Sequence, residues 1–299
     1  AVQLILGQAY VQTGRYRDAA ELLGSINAAS LPKAQQAALH QLLAVSLDKT
    51  GQTSRAVQEI GRAVALNPNS ASLQYQYGSM LFNNGDTARA VAALEKAASL
   101  DSNDPKKQKA YADALVRYAR EQRGDAKETA YRKAVSAASR LVASQSTYDN
   151  LMLLGGAQLG ARNFSDAVST FERASQKNPN DWLPYFYIGQ AQTVAGNYSQ
   201  AERALQAAQN RTSSNDDTVR IWKQLGLVYE KQKKFDLAIT AYTRAGDSAA
   251  VTRVRENKEI AEHNVEVEAE QAEIERLKRE EEELERKLKE LEGETPPLR

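Results

Sequence analysis

The constraint that governs this chain is a recurrence. Small and large apolar residues return in the same order about every 34 positions along its 299 residues. The fullest copy runs Leu151, Leu154, Gly155, Phe164, Ala167, Phe171, Ala174, Pro179. The next runs Tyr185, Ile188, Gly189, Gly196, Tyr198, Ala201, Leu205, Ala208, and another runs Trp222, Leu225, Gly226, Tyr229, Phe235, Ala238, Tyr242, Ala245. In each copy the apolar positions keep helical spacing in two segments parted by a turn. Such a unit is a helical hairpin that cannot bury its apolar face alone and must stack on further copies.

Alignment on the small residue of the first helix selects Gly7, Ala44, Gly78, Gly155, Gly189 and Gly226. The wide gap between Gly78 and Gly155 hides one longer, irregular repeat at about residues 104–144, so seven units are expected to fill residues 1–246. Gly14, Gly51, Gly85 and Gly196 stand between the helices of their units, where a left-handed backbone costs glycine least. Arg162 and Lys233 occupy that place in two others. Gly155 is expected to face Ala167, and Gly189 to face Ala201, so that two small residues let the helix axes approach.

The quoted positions resemble the signature of the tetratricopeptide repeat family. The resemblance implies an all-α fold, a right-handed α-solenoid of about seven hairpins closed by a capping helix and a long charged helix. It also implies a non-enzymatic protein-protein interaction scaffold or adaptor, with peptides or helical segments of other proteins held in a concave groove lined by the first helix of each unit. Carried over by position, the groove residues are Tyr75, Gln76, Phe82 and Asn83 in the third repeat and Met152 and Leu159 in the fifth. Phe186, Tyr187 and Gln190 follow in the sixth and Lys223 in the seventh, with Phe186 and Tyr187 the leading anchors. The Lys, Asn and Arg pattern with which related repeats clamp chaperone tails is missing at the matching positions.

Charge and composition narrow the remaining classes. There are 39 basic and 38 acidic residues and no cysteine, which removes disulfides and thiolate chemistry. The two histidines, His40 and His263, belong to different segments, and neither has a partner at metal-ligand spacing. No glycine-rich phosphate loop occurs. No catalytic residue, metal or cofactor is therefore expected. The stretch 104–144 is rich in Lys and Arg, but interleaved acids dilute it, and no nucleic-acid partner is expected. No apolar run is long enough to cross a bilayer. The chain begins inside a helix at Ala1, so residues upstream of it are expected, with a signal peptide, a lipid anchor or further repeats as the alternatives; the compartment stays open, with a lean to the bacterial cell envelope or exterior.

The C-terminal part differs in charge. Residues 247–299 hold 10 basic and 17 acidic side chains, leaving 29 against 21 in the repeats. Residues 247–264 read as a capping helix begun by Asp247 or Ser248, with Val251, Val254 and Ile260 on one side. Residues 265–292 read as a charged amphipathic helix or short coiled coil. Ile274, Leu277, Leu284, Leu288 and Leu291 fall on its a and d positions and Glu281 on another a. Glu275 with Arg279, Glu282 with Arg286, Glu283 with Lys287 and Glu285 with Lys289 have the favourable i to i+4 order. Residues 293–299 read as a flexible end. The alternative function is thus a structural subunit that joins its own copies into an oligomer or filament through the acidic helix and the basic repeat surface.

Overall fold

The computed structural model describes the backbone of residues 2–293 and the side chains of residues 2–289, so the end read as flexible, after Gly293, lies outside the described residues. Among the described residues there are fifteen α-helices, one 3-10 turn and no strand. Two compact units divide at Gly196 and Asn197. The N-terminal unit pairs α1 (Val2–Gln12) with α2 (Tyr16–Gly24), α3 (Lys33–Lys49) with α4 (Thr53–Leu66), and α5 (Ala71–Asn83) with α6 (Thr87–Leu100). It continues with α7 (Pro105–Glu121) and α8 (Gly124–Ser144), α9 (Tyr148–Gly160) and α10 (Phe164–Lys177), and ends on α11 (Leu183–Val194). The C-terminal unit holds α12 (Tyr198–Gln209), the pair α13 (Asn215–Lys231) and α14 (Phe235–Arg244), and α15 (Ser248–Gly293).

The turn inside a repeat has one recurring form. A residue with positive φ ends the first helix, and the next amide returns to a carbonyl five positions back: Gln52 to Leu47 at 2.8 Å, Asp86 to Leu81 at 2.9 Å, Asn163 to Gln158 at 2.9 Å. This is the Schellman closure, which satisfies carbonyls the helix end would leave open. Gly51 and Gly85 take it at φ 80° and 85°, whereas Arg162 and Lys233 are held there at 63° and 58°. A side chain in that conformation costs about 1 kcal/mol or more.

The small residues of the first helices leave room for a large side chain of the second. A Cβ on Gly78 would lie 2.6 Å from Leu94, one on Gly155 2.6 Å from the Phe171 ring, and one on Gly226 2.7 Å from Tyr242. Each neighbour is the large residue sixteen positions on, carried by the second helix. Gly155 thus leaves room for an aromatic ring. Ala56, Ala90, Ala167 and Ala238 are fully buried.

The longer fourth repeat differs locally. α7 has 17 residues and α8 has 21, and the chain turns at Gln122 and Arg123, so that Gly124 and Asp125 open α8. Many of its cations are paired: Lys107 with Asp101 and Asp104, Lys109 with Asp113, Arg117 with Glu121 and Arg132 with Glu128.

The capping part and the charged part read after residue 246 form one continuous helix. α15 runs 46 residues without a break, since no Gly or Pro interrupts it before its end. Its start is capped by Asp247, whose Oδ1 accepts from the Ala250 amide at 3.1 Å. Ala250 and Val254 are buried, and Arg253 and Lys258 reach Glu230 and Asp236 at 2.9 and 2.7 Å. Ile260, expected on the packed side, is 60% exposed. No described helix is long and apolar enough to cross a membrane.

Candidate functional site

The first helices of repeats four to six, α7, α9 and α11, border a recess of about 410 Å³ in the N-terminal unit. Met152, Gly156 and Leu159 of α9 form its middle, with Val116 and Arg120 of α7 on one side and Leu183, Tyr187 and Gln190 of α11 on the other. Gly156 is what opens it. A Cβ built there meets nothing within 4 Å, so α9 presents bare backbone where its neighbour Gly155 is filled from behind by Phe171. Gly160, one turn on, is covered by the ring of Tyr131 from α8.

The aromatic edge of the recess is held in place by its neighbours. Tyr187 stacks on Phe171 with ring centres 5.2 Å apart and planes 15° apart. Phe186 touches it edge-on at 5.7 Å and is itself met by Trp182 at 5.4 Å. A ring so fixed loses little conformational freedom when something binds against it. The opening of α9 is tied to the loop before α11 by the Tyr148 hydroxyl, which donates to Asp181 at 2.5 Å; burial and that carboxylate push the phenol pKa up. At the rim, Arg120 and Gln190 make no side-chain hydrogen bond or ion pair among the described residues, although Arg120 is exposed and Gln190 half-buried. A cation and an amide are left available beside an apolar floor.

The expected groove residues have different fates. Tyr187, Gln190, Met152 and Leu159 come together in the recess. Phe186 does not reach it, since only 4% of its surface is exposed and its ring serves as wall. Tyr75 and Phe82 are half-buried against the core, and the Arg117 guanidinium covers the Phe82 ring at 4.7 Å. Gln76 accepts a hydrogen bond from Gln41 at 3.1 Å, joining α3 to α5, while Asn83 is exposed. Lys223 lies in the C-terminal unit, exposed but paired with Asp247 at 3.3 Å. On α15, Ile274, Leu277, Leu284 and Leu288 are 51–65% exposed; the side chain of Leu291 lies outside the described residues.

Val116 and Arg120 escaped the sequence reading because the fourth repeat has lost the Leu-Gly pair that sets the register. A signal existed: Tyr111, Ala112, Leu115 and Ala119 mark the buried stripe of α7 at helical spacing, which puts Val116 and Arg120 on its flank. His40 is accounted for structurally. Its Nδ1 lies 2.7 Å from Glu59, which also receives Arg62 at 2.7 Å. Among the described residues no three His, Asp or Glu gather as a metal site.

Comparison with known proteins agrees with this architecture. The family model for the tetratricopeptide repeat matches residues 42–105, 152–217 and 188–250, more than half of the chain. An Hsp70-Hsp90 organising protein of Plasmodium falciparum is 31% identical over 101 residues, which are 32% of this chain and 18% of that protein. The C-terminal part of a repeat protein from Cytophaga hutchinsonii superposes with a TM-score of 0.61 at 13% identity, over 81% of this chain and 93% of that one. YrrB, titled a protein of this repeat type with an unusual peptide-binding site, superposes at 0.50 with 16% identity, over 67% of this chain and 99% of that one. Both structural likenesses speak to the fold alone.

Proposed function

Because the chain belongs to the tetratricopeptide repeat family, whose members are generally non-catalytic scaffolds, we propose that its N-terminal unit holds a segment of another protein in the recess between α7, α9 and α11. The occupant that fits is an extended peptide, or one turn of helix, carrying a large apolar side chain with a carboxylate close by. The apolar group suits the floor beside Gly156 and Tyr187. The carboxylate suits Arg120, whose planar fork of donors favours it. Gln190 can bond the peptide backbone. This reading is carried by one observation: a rigidly stacked Tyr187 ring stands beside two polar groups, Arg120 and Gln190, that have no side-chain partner among the described residues.

The unusual peptide-binding site of YrrB supports a peptide as the class of ligand. The partners named in the Plasmodium relative are not carried over, because the similarity spans 18% of that protein and the clamp pattern is absent here. The test is selection of displayed random peptides on the whole chain. Enriched peptides should share an apolar anchor with Asp, Glu or a terminal carboxylate near it. Tyr187→Ala and Arg120→Ala should each weaken them at least tenfold, about 1.4 kcal/mol, without lowering the unfolding temperature of the free chain by more than a few degrees. Binding that ignores both changes overturns the assignment.

A further inference from the structure

We propose that the distal half of α15 pairs with the same segment of a second copy as a two-stranded antiparallel coiled coil centred between residues 282 and 283. This inference uses a surface separate from the recess and does not depend on it. Beyond the turns anchored by Val254 and Lys258, α15 carries an apolar seam that nothing among the described residues covers. Ile274, Leu277, Leu284 and Leu288 are 51, 51, 65 and 57% exposed, and their alternating three- and four-residue steps keep them on one side of a continuous helix.

Charge decides both the occupant and the direction. The seam is interrupted at one a position by Glu281. In a parallel pair of identical helices every position faces its own copy, so two Glu281 carboxylates would meet in the seam. Glu280 at g would also stand opposite Glu285 at e. An antiparallel pair removes both conflicts. With Glu281 opposite Leu284, Leu277 falls opposite Leu288, Lys278 comes beside Glu285, and Glu280 comes beside Lys287. The two-fold axis repeats each pairing. Between Ile274 and Leu288 no like charges then face each other, and Glu281 can turn its carboxylate out to water.

Within one molecule the same groups are incompletely satisfied. Of the four i to i+4 pairs expected, Glu275 with Arg279 and Glu283 with Lys287 form, at 3.7 and 2.8 Å. Lys278 and Glu285 make no ion pair among the described residues, although both lie beside the seam. They are one of the two pairs the antiparallel register joins; the other, Glu280 with Lys287, exchanges partners already held by Arg276 and Glu283.

The absence of cysteine makes the test clean, because introduced thiols are the only ones present. The full chain should sediment as a dimer at micromolar concentrations and as a monomer when Leu284→Asp is introduced, with unfolding of the repeats unchanged. Under mild oxidation, a mixture of Leu277→Cys and Leu288→Cys chains should form the mixed disulfide at least tenfold faster than either chain links to itself. A monomeric native chain overturns the proposal, as does a dimer that survives Leu284→Asp. Fastest linking of Leu277→Cys to itself would establish a parallel pair and overturn the antiparallel register.

Discussion

The recess of the N-terminal unit and the distal half of α15 both expose apolar side chains, yet they are built in opposite ways. In the recess, residues from three helices far apart in sequence are fixed by packing behind them, with Phe171 under Tyr187 and Tyr131 over Gly160. On α15 the seam comes from one helix, and its geometry is only the helical repeat. A surface of the first kind fails when the stacking fails. A surface of the second kind needs only an intact helix.

The largest expected effect therefore comes from striking behind the recess. Gly155→Leu would drive a side chain into the Phe171 ring, already 2.6 Å from where a Cβ would sit. It should destabilise the N-terminal unit by about 3 kcal/mol and abolish peptide binding, while self-association through α15 persists. Calorimetry beside sedimentation checks this, and joint loss of both activities would break the contrast drawn above.

A smaller effect is expected at the root of α15. Asp247→Ala removes the acceptor for the Ala250 amide and should cost the C-terminal unit about 1 kcal/mol, leaving the recess untouched. The Asp247 carboxyl is held below its usual range, chiefly by that amide and further by Lys223. Its contribution is thus complete above the ordinary carboxylate pKa and fades as pH falls through the lowered value. Protection of the amides at the first turns of α15, relative to their intrinsic exchange rates, should fall in the variant at neutral pH, and in the native chain only on acidification. Equal exchange in the two chains at neutral pH would remove the cap from the account.

The smallest effect should stabilise. Lys233 holds φ 58° where other repeats use glycine. Lys233→Gly relieves about 1 kcal/mol of backbone strain but loosens the unfolded chain by about 0.5 kcal/mol. A net gain of about 0.5 kcal/mol in the C-terminal unit is expected, visible as a slight rise in its denaturation midpoint. A fall would mean that the lysine side chain contributes more than its strained backbone costs.

Much of the fold was legible because repetition supplies its own alignment. Gly78, Gly155 and Gly226 mark the first helices, and the turn glycines mark their ends. Helical spacing shows that a small residue is required at Gly155 but not that the Phe171 ring fills the space beside it. Phe186 and Tyr187 differ for the same reason. They are adjacent in sequence and alike in chemistry, and only the packing around α11 buries the first and leaves the second at the recess.

What the sequence by itself determined is what repeats locally: helix boundaries, Schellman turns, the seam of α15 and the charges beside it. Each depends on residues within a few turns of one another, where backbone geometry sets the neighbours. The tertiary structure alone decided that Val116, Gly156 and Tyr187 border one recess and that Arg120 and Gln190 have no side-chain partner there among the described residues. Those facts depend on how separate helices stack, and the fourth repeat, having lost its Leu-Gly pair, records which face of α7 is buried but not which helices it meets.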